Sequence, residues 1–296
     1  MDPRLKKHSL GYWEIENKPS IEDLQQYYAD TYYQEGKGSY ELQYGSDELV
    51  YFNSKLEQRW SVIQQYLSDL SKMPRMLDVG CGEGFALAFF RSHGWHVKGF
   101  DFSNSGVASK NPSCIDALVT GDIFSLLETE IEAGNPYDVI WLQNVLEHVL
   151  DPLELLGQLR KLVAPEGMAV VTVPNDCSIT QNAALSKKHI DDAFWVMPPE
   201  HLTYFDNTSL KAIAEHTGWR CMEMLADFPA DWFLFHDKSN YVRDRSVGKA
   251  AHVARVQVEN FIHEQPIEDV ISFWSAAAKL GIGRNITAFL KPSGAV

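Results

Sequence analysis

Three glycines at alternate positions, Gly80, Gly82 and Gly84, interrupt the apolar run Arg75-Met-Leu-Asp-Val, which resumes at helical spacing through Phe85-Ala-Leu-Ala-Phe-Phe. The pattern reads as strand, tight turn, helix. Glycine lacks a Cβ, so such a turn can take positive φ and let a ligand lie against the backbone at the start of a helix. A dinucleotide turn spaces its glycines G-x-G-x-x-G to admit a pyrophosphate. Here the third glycine comes one position early, Phe85 occupies its place, and Asp78 and Glu83 bracket the turn. Two carboxylates repel a pyrophosphate and suit a ligand that carries positive charge.

Further acids follow at spacings a nucleoside could use. About twenty positions on, the run from Trp95 ends at Asp101, where an acid can hold ribose hydroxyls; Ser103 is placed to cap the next helix, and helix capping is the alternative role for Asp101. A third run, Ala117 to Asp122, ends on an acid followed by apolar Ile123 and Phe124. A fourth, Tyr137 to Gln143, leads into Asn144-Val-Leu-Glu-His-Val.

The run L-D-V-G-C-G-E-G resembles motif I of the class I S-adenosylmethionine-dependent methyltransferases. The segment after the fourth run resembles the small-molecule subgroup of the ubiquinone O-methyltransferase type, and the likeness is good from about Pro74 to Val173. It implies S-adenosyl-L-methionine as cofactor, with Asp78, Gly80, Cys81, Gly82 and Gly84 at its methionine end. Asp101 and its neighbour Phe102 fall at the ribose, Asp122 and Ile123 at the adenine, and Gln143 at the end of the fourth strand. Arg59 lies one residue from where these enzymes place an arginine near the cofactor carboxylate; a solvated arginine is the other reading. The implied fold is α/β, a Rossmann-like doubly wound seven-stranded sheet with strand 7 antiparallel, Trp219–Leu225 being strand 6 and Asn285–Lys291 strand 7.

Methyl transfer is an in-line displacement on an already activated carbon, so positioning supplies much of the acceleration. A hydroxyl acceptor gains from a base near neutral pKa, usually histidine. His148, expected one turn into a helix beyond the fourth strand, is the first candidate, with Glu147 expected to point elsewhere. His201 is second, with Tyr204 as an orienting hydroxyl. Each histidine has a structural role as its alternative. No His/Asp/Glu cluster at ligand spacing is legible, so no metal is expected. The N-P-P-Y or D-P-P-Y signature of base-amino methylases is missing after the fourth strand. The acceptor is expected to be a cytoplasmic small molecule, methylated at oxygen, such as a carbohydrate or other biosynthetic precursor. Methylation at nitrogen or carbon, or a non-catalytic module that binds cofactor or a partner, are the alternatives.

The surrounding elements must hold these residues in place. The 296 residues, 45% hydrophobic and 12% aromatic, suffice for one large core with additions. The expected organisation is an N-terminal arm and helical lid over 1–72, a methyltransferase core over 73–228 and 284–292, and a helical cap over 229–283. The first twenty residues read as a loose arm and Ser20 as a helix cap. Tyr32, Tyr33, Tyr40 and Tyr44 form either a lid facing a sulfonium cation or ordinary packing. Ser46–Ser71 is an amphipathic helix. Residues 174–199 read as an irregular binding loop. The 229–283 insertion covers the substrate mouth or, alternatively, forms a homodimer surface. A net charge of −14 argues against a nucleic-acid partner. Four scattered cysteines without metal spacing read as reduced thiols in a cytoplasmic protein. No apolar run approaches eighteen residues, so no membrane partner is expected.

Overall fold

The computed structural model describes residues 2–20, 22–24, 43–67 and 73–294. In chain order these form β1 (Leu5–Lys7), β2 (Trp13–Ile15), α1 (Ser46–Tyr66), β3 (Arg75–Val79), α2 (Phe85–Ser92), β4 (His96–Asp101), α3 (Ser105–Lys110), β5 (Leu118–Thr120), α4 (Ile123–Ala133), β6 (Tyr137–Gln143), α5 (Pro152–Leu162), β7 (Val163–Pro174), α6 (Ile179–Ser186), β8 (Thr203–Tyr204), α7 (Asn207–His216), β9 (Trp219–Ala226), α8 (Gly248–His263), α9 (Ile267–Lys279) and β10 (Asn285–Pro292).

Seven strands form one sheet in the order β5-β4-β3-β6-β7-β10-β9. β3 pairs in parallel with β4 and β6, and β10 runs antiparallel to both β7 and β9. This is the expected doubly wound sheet with strand 7 reversed. Side chains alternate across it with period two. Leu77, Val79, Ile140 and Leu142 enter a core with α5 residues Leu155 and Leu159. Met76, Val139, Trp141 and Val170 enter a second core on the other face, with Val62 and Ile63 of α1, Phe90 of α2 and Trp274 of α9. Burial on both faces explains why these strands read as continuous apolar runs.

Four local expectations are corrected. The first twenty residues are not a loose arm: β1 and β2 pair antiparallel, Leu5 with Ile15, and Trp13 pairs with Tyr204 of β8, making a three-stranded sheet. Tyr12 and Ile15 are buried, and that burial outweighs the chain entropy a polar arm would keep. Asn144 to Leu150 form turns, with Asn144 at φ 53°, and no helix. The segment from 174 to 199 contains α6, begun by a Ser178–Gln181 capping box. Ser103 does not cap α3; its hydroxyl accepts the Ser105 N–H at 3.2 Å. The Ser20 and Asp23 side chains do bond as a capping pair, while Tyr32, Tyr33 and Tyr40 of the expected lid lie outside the described residues.

In the long connection between β9 and β10, α9 packs onto the sheet through Val270, Ile271 and Trp274. The helix α8 docks on α1: Lys55 Nζ lies 3.2 Å from Glu259 Oε2, both buried, and Arg255 Nη2 donates to Tyr51 Oη at 2.5 Å. None of the described helices is long and apolar enough to cross a membrane.

Candidate functional site

The carboxyl ends of β3, β4 and β6 meet around the glycine turn. Gly80, Gly82 and Gly84 take φ of 74°, 53° and 76°, the left-handed region that only glycine enters without strain. A Cβ on Gly80 would lie 2.4 Å from Val145 Cγ2, so the turn also needs hydrogen there for space. The Gly80 and Cys81 N–H groups donate to the Phe100 carbonyl at 2.8 and 3.0 Å, which ties the turn to the end of β4. Asp101 locks it: Oδ2 accepts the Gly82 N–H at 2.8 Å and Oδ1 the Ser103 N–H at 3.0 Å. Phe102 follows it, partly exposed.

Charge gathers beside the turn. Asp78 is buried, and burial followed by the charge of Asp101 raises its carboxyl well above the usual range. Glu83 is raised by burial, offset in part by Tyr44, whose hydroxyl donates to Oε2 at 2.7 Å. Burial also raises the Cys81 thiol, keeping it protonated. From α1, Arg59 is brought to the site by helical spacing, on the face that also buries Lys55, Val62 and Ile63. Its Nη1 donates to Gln143 Oε1 at 2.6 Å and its guanidinium lies over Trp141, and burial lowers its pKa. A carboxyl raised by burial and by Asp101, on the strand next to β6, whose end residue Gln143 accepts from the buried Arg59 guanidinium, fits the ammonium and carboxylate of an amino-acid moiety. Asp122 caps α4 by accepting the Ser125 N–H at 3.0 Å, with Ile123 buried behind it.

A second group lies beyond β6 and β7. The turn after Asn144 brings Glu147 and His148 together, with His148 Nε2 3.7 Å from Glu147 Oε1; the helix that would have turned Glu147 away is not formed. His148 Nδ1 donates to the Glu200 carbonyl at 2.6 Å, and its ring meets that of His201 at 4.9 Å, edge to face. His201 Nδ1 lies 3.7 Å from Asp176 Oδ2, and Arg284 Nη1 bonds Asp176 Oδ1 at 2.8 Å. Burial pushes Glu147 up to about 7. Burial, then the charge of His201, pushes His148 down to about 3. His201 is raised: burial opposes its charge, but Asp176 and Glu147 prevail. Burial would raise Asp176, yet Arg284 and His201 lower it.

The sequence reading set Glu147 aside and missed Asp176 and Arg284. Asp176 and Arg284 meet because Pro174 pairs with Asn285 across β7 and β10, a long-range register that no local pattern carries. The expectation that no metal-spaced cluster exists is also corrected: Glu147, His148 and His201 each present a ligand atom within 4.8 Å of the others. Tyr204 is buried in β8 and its hydroxyl donates to the His201 carbonyl at 2.7 Å, so it holds the His201 loop. A cavity of about 280 Å³ lined by Arg75, His96 and Tyr137 opens at the amino ends of the strands, away from both groups.

A doubly wound sheet with a reversed last strand, a glycine turn flanked by acids and an acid, Asp101, at the end of the neighbouring strand define the class I S-adenosylmethionine-dependent methyltransferases. The sequence profile of the methyltransferase domain family matches residues 52–224, more than half of the chain, and the chain belongs to that family. It is similar to the ubiquinone biosynthesis O-methyltransferase of Vibrio cholerae, 37% identical over 98 residues, which cover 31% of this chain and 39% of that one. The corresponding enzyme of Paraburkholderia xenovorans is 32% identical over 102 residues, covering 34% and 44%. The chain thus spans less than half the length of these curated relatives. Among solved structures, the plantazolicin methyltransferase BpumL in complex with S-adenosylhomocysteine aligns with a TM-score of 0.54 at 15% identity, covering 91% of this chain and 93% of that one. That likeness is one of fold.

Proposed function

We propose that the protein transfers a methyl group from S-adenosylmethionine to a hydroxyl of a small biosynthetic molecule. The bound cofactor supplies a methyl carbon activated by sulfonium. Asp78 pairs with its ammonium, Arg59 and Gln143 hold its carboxylate, Asp101 takes the ribose hydroxyls, and Asp122 and Ile123 border the adenine. The observation that carries the hydroxyl reading is the group of buried Glu147 and half-buried His148 and His201 beyond the carboxyl ends of β6 and β7, the side on which ligands of open α/β sheets bind. This group would take the acceptor hydroxyl's proton and pass it on to solvent. Tyr204 and Asp176 position the group without touching the acceptor. The segment 229–283 closes the acceptor side, with α8 pinned to α1. A net charge of −14 suits a small molecule over nucleic acid, and a cytoplasmic setting suits four free cysteines.

The test is a metabolite pool screened for transfer from labelled cofactor, followed by variants on the acceptor found. His148→Ala should lower turnover by about 10²- to 10⁴-fold, the usual contribution of positioned proton transfer, with affinity for S-adenosylhomocysteine unchanged. Label appearing on carbon or on a free amine, with the His148→Ala rate equal to the parent, would overturn the hydroxyl reading.

A further inference from the structure

The helix α8 is apolar on the side where a surface helix is ordinarily polar. Its inner side is docked: Val256 and Glu259 are buried, Lys55 of α1 lies 3.2 Å from Glu259, and Arg255 bonds Tyr51. At about 100° per residue, the opposite side holds Ala250, Val253, Ala254, Gln257, Val258 and Phe261, which recur at steps of three and one. Val253 is 44% exposed, Val258 39% and Phe261 63%. Scattered exposed apolar residues are ordinary, but a continuous strip of them along about three turns marks a contact surface.

The charges of this region are sorted by end. Arg245 and Lys249 stand exposed at the amino end of α8, while Asp244 beside them accepts the Ser246 N–H and hydroxyl. Past the carboxyl end come Glu264 and, in the first turn of α9, Glu268 and Asp269, all exposed. A parallel copy of such a helix would set like charges side by side. An antiparallel copy sets opposite charges together. Size matches in the same sense. With a twofold axis between Ala254 and Gln257, Phe261 of one copy faces Ala250 of the other, Gln257 faces Ala254, and Val258 faces Val253, so each large side chain meets a small one or an equal. Glu264 then lies two residues, about 3 Å, beyond the level of Lys249 on the other copy, a gap that these long side chains span.

We infer that two copies of this chain associate through the outer face of α8, packed antiparallel about a twofold axis. The same patch serves both copies, as a closed symmetric dimer requires. The helix is about 24 Å long, and a strip one helix wide falls short of the roughly 800 Å² per partner of a standard interface. The association is therefore reversible and depends on concentration. The inner face of α8 stays on α1, so the pairing does not depend on the hydroxyl reading.

The test is sedimentation equilibrium of the full chain over a range of concentrations, at low and high salt. The parent should pass from monomer to dimer as concentration rises, less readily in high salt, which screens the end charges. Phe261→Asp should raise the dissociation constant at least about tenfold while keeping the circular dichroism of the parent; if it does not keep it, Val253→Lys takes its place. Lys249→Glu and Glu264→Lys should each weaken the dimer, because like charges then meet across the axis. An equimolar mixture of those two variants should associate more tightly than either alone, since every end charge then meets its opposite. A parent that stays monomeric at every concentration, or a dimer of equal strength in folded Phe261→Asp or Val253→Lys, overturns the surface. A mixture no tighter than its components overturns the antiparallel arrangement. A monomeric parent that binds S-adenosylhomocysteine leaves the methyltransferase reading standing.

Discussion

Asp78 shows how one residue can oppose stability and serve binding. Its carboxyl pKa is raised in the folded chain, first by burial and then by Asp101, so between the unfolded value of about 3.9 and the folded one the native state binds more protons. Stability therefore falls as pH rises through that window. Asp78→Asn should raise the melting temperature of the ligand-free protein at neutral pH and weaken S-adenosylhomocysteine binding; a lower melting temperature would mean the carboxylate is already satisfied. Asp101 differs, because its oxygens take the Gly82 and Ser103 N–H groups. Asp101→Ala should reduce cofactor affinity by about 1.5 to 3 kcal/mol with the fold retained. Asp101→Asn keeps an acceptor for Gly82, so calorimetry on the two variants separates loss of the ribose contact from loosening of the turn.

At the scale of elements, α1 carries Arg59 into the site, and α8 holds α1 in place. The Lys55–Glu259 pair is almost wholly buried, and Glu259 also accepts the Phe228 N–H at 2.8 Å. Removing one partner of such a pair leaves an uncompensated charge and costs about 3–5 kcal/mol. Lys55→Ala should therefore destabilise by that order in denaturant titration, and adding Glu259→Gln should recover part of the loss. Equal stability of the single and double variants would show that the ion pair is not what joins the two helices. Because α1 also presents Arg59 to Gln143, Lys55→Ala should weaken cofactor binding as well.

For the whole molecule, a ligand that binds only the folded chain stabilises it by mass action. S-adenosylhomocysteine at a hundredfold excess over its dissociation constant should add about 2.7 kcal/mol and raise the melting temperature. NAD should leave it unchanged, since Asp78 and Glu83 flank the turn where a pyrophosphate would lie. A shift with NAD and none with S-adenosylhomocysteine would contradict the cofactor. The same core carries both contributions, because the strands whose ends hold Asp78, Asp101 and Gln143 are the ones buried on both faces of the sheet.

What the sequence determined was local in origin. Glycine spacing specifies the turn, apolar runs specify strands buried on both faces, and steps of three and four specify the helix α1, while the burial of Arg59 on it came only with the structure; each local signal is decided by neighbours within a few residues. The tertiary structure decided the rest. His148 and His201 are fifty-three positions apart and meet because the Glu200 carbonyl takes the His148 ring Nδ1–H and the Glu147 carbonyl takes the backbone N–H groups of Leu202 and Thr203. Asp176 meets Arg284 through the register of β7 with β10. The polar first twenty residues gain order from distant partners, among them the β8 edge near residue 203. Periodicity reports which face of an element is apolar, but not which distant chain will satisfy a buried polar atom, because that partner is set by strand register and loop path across the whole sheet.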